Sequence, residues 1–307
     1  MPYFTHPAPA LTRHLGASLL TCLALAGCKD SPKAPGAAQP QTLRYGGITL
    51  HPPASAAHAA LADEVWLGAF AKGFEHSGAT QLDGAPVVDV RWRALRQETN
   101  DGALEVALGW ACSMEDTSSN RTLSEGGQAR EVVVLEPAKT EAIKERYKIK
   151  ETPATSMIPA LTKLAKDCAQ GLRIQRDLPS MTPQQVTALA TPTLPLKAAD
   201  KVIVKLAELE PVPAQALIRL LDHPHYDVVM HAMRVIVERK VLQADKRLVK
   251  LATTFSEARH MEGYVGTLFQ LGRLGGPESR RYLEAVASGH NSEQIRDVAA
   301  RALKGIK

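Results

Sequence analysis

Residues 271–303 read LGRLGGPESRRYLEAVASGHNSEQIRDVAARAL, and this stretch decides the fold of the second half of the chain. Gly275 and Gly276 followed by Pro277 stop one helix and start the next. Glycine adopts the left-handed conformation that ends a helix, and proline fits the first helical position. Apolar residues then recur at helical spacing on both sides of the polar residues near position 291. The stretch therefore predicts two antiparallel amphipathic helices.

A similar pattern returns upstream at offsets of 33 and 34 residues. Each repeat is predicted to be a pair of helices. In the second helix of each pair, apolar residues occupy the first, fifth, eighth and ninth positions of a nine-residue segment. The three sets are Val228, Ala232, Val235, Ile236; Met261, Val265, Leu268, Phe269; and Ile295, Ala299, Ala302, Leu303. The preceding shorter helices carry Leu217, Leu220, Leu221; Leu248, Leu251, Ala252; and Leu283, Val286, Ala287. Repeated helix pairs predict a stacked all-α solenoid over residues 179–307.

The repeat resembles the short HEAT-like repeats of bacterial proteins. The resemblance is carried by residues 271–278, by Tyr282-Leu283, by residues 295–303 and by the turn at residues 221–224. Gly263 and Gly266 depart from it, because each weakens a helix interior by about 1 kcal/mol. Upstream, Thr182 begins a capping box and residues 197–210 form a further helix, which we interpret as a degenerate first unit.

Such a stack is expected to expose a ladder of side chains from its second helices. The expected positions are Met230, Arg234, Val237; Gly263, Thr267, Gln270; and Asp297, Arg301, Lys304. We take Arg234, Thr267 and Arg301 as candidate contacts with a protein partner, since arginine is enriched among residues that dominate binding energy. The alternative is that these are ordinary solvated side chains.

Residues 42–178 predict a separate α+β domain with an antiparallel sheet and two helices. Apolar residues alternate along residues 88–94 and 104–112, on either side of the turn sequence Asn100-Asp101-Gly102. Further strands are expected at 42–50 and 131–136, helices at 57–74 and 153–171, and a polar loop at 115–129. The order β-α-β-β-β-α places both helices on the apolar face of one sheet.

The N-terminus predicts the cellular compartment. Arg13 and His14 precede an uncharged run of about a dozen residues, which is too short to span a bilayer and typical of a signal peptide. The run ends in Leu25-Ala26-Gly27-Cys28, which resembles the lipobox of bacterial lipoprotein precursors. We therefore expect a signal peptide at residues 1–27 and a Pro/Ala/Gly tether at residues 28–41. An ordinary signal peptide or a buried N-terminal helix is the alternative.

The lipoprotein resemblance implies lipidation at Cys28, with cleavage before it and fatty acids such as palmitate that anchor the mature chain to a membrane. In that family, aspartate directly after the cysteine is associated with retention in the inner membrane. Lys29 occupies this position, so the outer membrane is favoured over the inner one. The expected location is the periplasmic side of the cell envelope.

Cysteine usage agrees with an oxidising compartment. Only Cys112 and Cys168 remain in the mature chain besides Cys28. They fall on the faces assigned to the core, one on the sheet and one on the second helix of the α+β domain. A disulfide between them is expected in the periplasm. Two separate buried thiols are the alternative.

The sequence predicts neither an enzyme nor a cofactor-binding protein, because no nucleophile, metal or phosphate-loop motif occurs. His223, His225 and His231 are the densest histidine cluster. His223 and His225 are expected to flank a turn and His231 to lie along the second helix, and a metal site is not expected. The net charge of +5 is spread without basic runs, so nucleic acid is not an expected partner. The expected function is non-enzymatic binding of a protein partner at the membrane; the alternative is a lipid or small-ligand carrier with a cavity in the α+β domain.

Overall fold

The computed structural model describes residues 42–51, 63–98, 104–133, 145 and 153–306. The predicted signal peptide, Cys28, the tether and the turn at residues 100–102 lie outside these residues. The described chain forms a part with a small sheet and two helices, followed by a helical part. None of the helices within these residues is long and apolar enough to span a membrane.

The first part contains a sheet in the order β2-β4-β5-β6 and a separate pair of strands, β1 and β3. The strands are β1 Arg44–Tyr45, β2 Gly47–His51, β3 Thr80–Gln81, β4 Val87–Glu98, β5 Leu104–Asp116 and β6 Arg121–Val133. Two helices accompany them, α1 Asp63–His76 and α2 Pro153–Asp177. β4, β5 and β6 are antiparallel, as predicted, but β2 pairs with β4 in parallel. The expectation of a fully antiparallel sheet was wrong, because α1 returns the chain to the same end of the sheet before β4 begins.

The predicted polar loop at residues 115–129 was also wrong, because most of this segment is β-strand. β5 continues to Asp116, and β6 begins at Arg121 after a turn of four residues. The Asp116 carboxylate holds this turn by accepting hydrogen bonds from the backbone N–H of Ser118 at 3.2 Å and from the hydroxyls of Ser118 and Ser119. These donors lower the pKa of Asp116. Polar residues thus close a tight hairpin where their composition had indicated a long loop.

The core of the first part lies between one face of the sheet and both helices. Phe70 and Phe74 from α1 and Val88 and Val90 from β4 are fully buried there. Cys112 of β5 and Cys168 of α2 form a disulfide across this layer, with Cα atoms 6.3 Å apart. The expected bridge is therefore present in the structure.

The helical part consists of four helical hairpins. Their helices are α3 Pro183–Leu189 and α4 Leu196–Glu208, α5 Ala214–Leu220 and α6 Tyr226–Glu238, α7 Asp245–Glu257 and α8 Met261–Leu274, α9 Pro277–Gly289 and α10 Glu293–Lys304. The second helices α4, α6, α8 and α10 pack on one another in that order, and α7 packs on α9. Arg219 near the end of α5 donates to the carbonyls of Thr187 and Ala190 at the end of α3, so α3 and α5 point the same way.

Local signals in the sequence explain where these helices begin and end. The predicted capping box at α3 is confirmed: the backbone N–H of Gln185 donates to the Thr182 hydroxyl, and the Thr182 N–H donates to the Gln185 side chain. Gly275 ends α8 in the left-handed conformation with φ 74°, and Pro277 begins α9, as predicted. The buried carboxylate of Asp245 accepts the N–H groups of Glu278 and Ser279 at 2.8 and 3.0 Å, and so caps α9 from the preceding hairpin.

Helix α2 belongs to both cores. Leu172 is buried in the core beneath the sheet, whereas Ile174, half a turn later, is buried in the core of the helical part. The helical part therefore begins directly on the last turn of α2.

Candidate functional site

The four second helices share one pattern of burial. In each helix, four residues at relative positions 0, 3, 4 and 7 are buried. The sets are Ala199, Val202, Ile203, Leu206; Val229, Ala232, Met233, Ile236; Tyr264, Thr267, Leu268, Leu271; and Ile295, Val298, Ala299, Ala302. This spacing forms one stripe along a helix, because three or four residues make a turn. The second helices are therefore equivalent in structure, with one outward face each.

The structure rotates α8 relative to the sequence prediction. Met261 and Phe269, which were predicted to face inward, have 51% and 41% of their surface exposed. Tyr264 takes the inward position instead, so equivalent residues are offset by 30, 35 and 31 positions and not by 33 and 34. Helix α8 is apolar on most sides, so its pattern alone permits either rotation.

Gly272 selects the rotation that occurs. A Cβ atom at this position would lie 2.4 Å from the carbonyl oxygen of Ala302, which shows how closely α8 and α10 approach there. The residue that faces α10 must therefore be glycine, and this fixes the faces of all other α8 residues.

Thr267 is consequently not an exposed partner contact. Its side chain is fully buried, and its hydroxyl donates to the carbonyl of Gly263 at 2.7 Å. Val237 and Gly263, also expected in the ladder, are buried too. Arg234 on α6 and Arg301 on α10 are exposed, as expected. Sequence reasoning missed Phe269, although the competing stripe of Tyr264 with Leu268 and Leu271 could have revealed it.

The outward positions of the second helices form a surface with an apolar centre, which we name the second-helix face. It is defined by the four equivalent residues Val204, Arg234, Phe269 and Ala300. Val204 is 47% exposed, and half-buried Met230 and Val265 lie on the same helices. A few apolar groups among charged ones resemble the centre and rim of protein interfaces.

Charges at the two ends of the second helices differ in sign. Asp227, Glu262 and Glu293 lie in the first turns of α6, α8 and α10. Arg273 and Lys304 lie in the last turns of α8 and α10. Each side-chain charge is opposite in sign to the partial charge of the helix dipole at that end. Because these helices run in parallel, their acidic ends lie on one side and their basic ends on the other.

A buried carboxylate fixes the second-helix face relative to the sheet. Glu125 of β6 accepts the N–H groups of Lys197 and Ala198, at 2.7 and 2.9 Å, and so caps α4. Burial raises the pKa of Glu125, and these backbone donors partly offset that effect. Gly171 of α2 leaves the necessary room, because a Cβ atom there would lie 2.3 Å from the carboxylate. Glu125 was not identified from the sequence, because it lies in the segment that was predicted to be a polar loop.

The histidines of the predicted cluster have separate hydrogen-bonding roles. The Nε2–H of His223 donates to the carbonyl of Leu194 at 2.8 Å, and its Nδ1 accepts the backbone N–H of His225 at 3.1 Å. Burial lowers the pKa of His223 and of His225, so both are neutral at pH 7. His231 lies 3.0 Å from the carboxylate of Asp200 on α4. Across the described part of the chain, no three His, Cys, Asp or Glu residues are grouped to hold a metal ion.

The interior of the first part bears on the carrier alternative. At the disulfide, the backbones of β5 and α2 are 6.3 Å apart, which leaves no room for a ligand between them. Among the residues that the structure describes, the buried indole N–H of Trp110 has no hydrogen-bond partner, and it faces Gly127 on the neighbouring strand. The described side chains in this layer are packed against each other.

No protein-family model matches the chain, and no curated protein matches it. A solved structure of a minor lipoprotein from Acinetobacter baumannii is similar to part of it, with 14% identity and a TM-score of 0.28. The similarity covers 44% of this chain and 95% of that one. Similarity at this level does not establish a shared fold.

Proposed function

We propose that this chain is a lipid-anchored protein of the bacterial cell envelope that binds a protein partner through its second-helix face. The observation that carries the proposal is the partly exposed Phe269, which stands on the same face as Val204 and Arg234. Exposed aromatic and arginine side chains on packed helices are the residues that contribute most to protein interfaces.

The anchor rests on the lipobox at residues 25–28, and the outer membrane is favoured because Lys29 follows it. The binding surface rests on the HEAT-like solenoid interpretation of the four hairpins. Stacked hairpins present parallel second helices on one side, and such repeat surfaces hold extended partners. The carrier alternative is less supported, since the disulfide brings α2 close to the sheet.

Photocrosslinking in intact cells tests the binding surface. A photoreactive amino acid is placed at Phe269, Arg234 or Arg301, and for comparison at Thr254 and Ser288, which are exposed on first helices. We expect one common adduct from the three second-helix positions and none from the two others. The double variant Arg234→Glu/Arg301→Glu should retain its circular dichroism spectrum and lose the adduct from position 269.

Equal adducts from both sets of positions, or no adduct from any, would contradict the proposed surface.

The anchor is tested separately. Labelling with a palmitate analogue should mark the wild-type chain and not the Cys28→Ala variant, which should leave the membrane fraction. An unmodified and uncleaved N-terminus by mass spectrometry would refute the lipoprotein assignment.

A further inference from the structure

The turns that connect one hairpin to the next lie along a single edge of the helical part. First helices begin at this edge and second helices end there. Four exposed cations are located on it: Lys240 after α6, Lys246 in the first turn of α7, Arg273 at the end of α8, and Lys304 at the end of α10. We name these four residues the basic edge.

Contacts show that three residues of the basic edge, Lys240, Arg273 and Lys304, are close together. The Lys240 ammonium donates to the carbonyl of Arg273, which places α6 beside the end of α8. Gly272, next to Arg273, packs on Ala302, two residues before Lys304.

The acidic residues nearby are mostly engaged. Glu278 pairs with Arg281, and Glu210 pairs with Arg239. Glu238 is exposed at the end of α6, and Asp245 is buried as a helix cap. Within the described ranges, none of the four basic-edge residues has a carboxylate partner. The edge therefore carries a local positive surplus, whereas the opposite edge carries the acidic first turns of α6, α8 and α10.

Leu242 adds an apolar group to the same edge. It lies in the short 3-10 helix Leu242–Ala244 between α6 and α7, and 54% of its surface is exposed. An exposed leucine beside lysines is the combination found on surfaces that contact the headgroup region of membranes, where cations meet phosphate and apolar groups meet acyl chains.

The root of the tether lies at the same edge. The carbonyl oxygen of Thr42, the first described residue, accepts a hydrogen bond from Arg176 at 3.2 Å. Arg176 is in the last turn of α2, and α3 begins at this edge seven residues later.

We propose that the basic edge binds anionic phospholipid, so that the helical part stands edge-on against the membrane that holds the lipid anchor. This inference rests on the proposed function, because the lipid anchor at Cys28 is what brings the helical part to a membrane. The anchor holds the edge close to the bilayer and so adds to an attraction for anionic lipid that the edge has by itself. The second-helix face then stands upright from the membrane and remains open to a partner.

Vesicle co-sedimentation tests this proposal. The protein used is the unlipidated mature chain from Lys29 onward, which keeps every described residue. It is mixed with vesicles of phosphatidylcholine alone or with 30 mol% phosphatidylglycerol. We expect binding only to the anionic vesicles, and loss of that binding in about 0.5 M salt, which screens charges beyond a few ångströms.

Two variants with the same change in net charge identify the surface. The edge variant is Lys246→Glu/Arg273→Glu/Lys304→Glu, and its partition onto anionic vesicles should fall by about 100-fold or more. The control variant is Lys72→Glu/Lys201→Glu/Arg259→Glu, which alters exposed cations away from the edge and should bind far more tightly than the edge variant. Failure of the wild-type chain to bind anionic vesicles at low salt, or equal losses in both variants, would overturn the proposal.

A fluorescent label at a single introduced cysteine tests the same proposal if the edge variant does not fold. Cysteine introduced by Leu242→Cys can be labelled selectively, because Cys112 and Cys168 are bonded to each other. An environment-sensitive dye at position 242 should shift to the blue with anionic vesicles, and one at Glu262→Cys on the opposite edge should not. Equal shifts at both positions would refute the edge-on orientation. The photocrosslinking test at position 269 does not depend on vesicle binding. A failure of lipid binding by the basic edge can therefore be distinguished from a failure of the proposed partner surface.

Discussion

Removal of the Glu125 carboxylate should uncouple the two parts of the molecule. In Glu125→Ala, the N–H groups of Lys197 and Ala198 lose the fully buried carboxylate that accepts them at 2.7 and 2.9 Å. Each unsatisfied buried donor costs about 1–3 kcal/mol, and the relieved burial of the carboxylate offsets part of the sum. We expect a net loss of about 3 kcal/mol in the free energy of unfolding.

The distribution of tryptophan permits a test of each part by itself. Trp66, Trp92 and Trp110 all belong to the first part, whereas most helical residues belong to the second. In urea, tryptophan fluorescence therefore follows the sheet part and circular dichroism at 222 nm mainly follows the hairpins. The two transitions should coincide in the wild-type chain, because α2 belongs to both cores.

In Glu125→Ala, the circular dichroism transition should move to lower urea by about 1 M and separate from the fluorescence transition. Glu125→Gln keeps one acceptor oxygen and should show about half the shift. Glu115→Gln is the matched control, since Glu115 lies on the adjacent strand with an exposed side chain that accepts from the Thr122 hydroxyl at 2.7 Å. Coincident, unshifted transitions in Glu125→Ala would refute the assigned role of this carboxylate.

Three further outcomes follow from the disulfide, the buried histidine and the close helix contact. Reduction of the Cys112–Cys168 bond, which joins residues 56 positions apart, should lower the free energy of unfolding by about 4 kcal/mol in urea titrations with and without reductant; an unchanged midpoint would contradict this. Because burial lowers the pKa of His223, the unfolded chain binds a proton that the folded chain does not, so the stability of the wild type in urea titrations should fall as pH decreases from 7 to 5, and that of His223→Gln should fall less over the same range; equal pH slopes would contradict this. Gly272→Ala should lower the thermal midpoint, since its Cβ would lie 2.4 Å from a backbone oxygen of α10, whereas Gly289→Ala, with nothing within 4 Å, should not; equal midpoints would argue against the close contact.

Regular periodicity made most elements predictable from sequence. The hairpin β4–β5, the helices and the helix boundaries at Thr182 and Gly275 follow from alternation, spacing and capping residues, each of which acts within a few positions of the chain. The parallel pairing of β2 with β4 could not be predicted in this way, because it depends on where α1 delivers the chain.

The candidate site was less predictable, because it depends on contacts between helices. Two apolar stripes compete on α8, and only the approach of Gly272 to α10 decides that Tyr264 faces inward and Phe269 outward. The role of Glu125 was also not predictable, because a glutamate among serine and glycine residues suggests an exposed loop. Only the structure shows that it accepts the N–H groups at the start of α4.

The order of features along the chain has a consequence for biogenesis. Cys112, Glu125 and Cys168 all precede the helical part. Under the proposed export with the N-terminus first, the sheet, its helices and their covalent bond would form before α4 has crossed the membrane. The first hairpin then meets a finished surface that already offers an acceptor for its N-terminus. Each later hairpin would dock on the one before it, so the proposed translocation and the assembly of the helical part would proceed in the same direction.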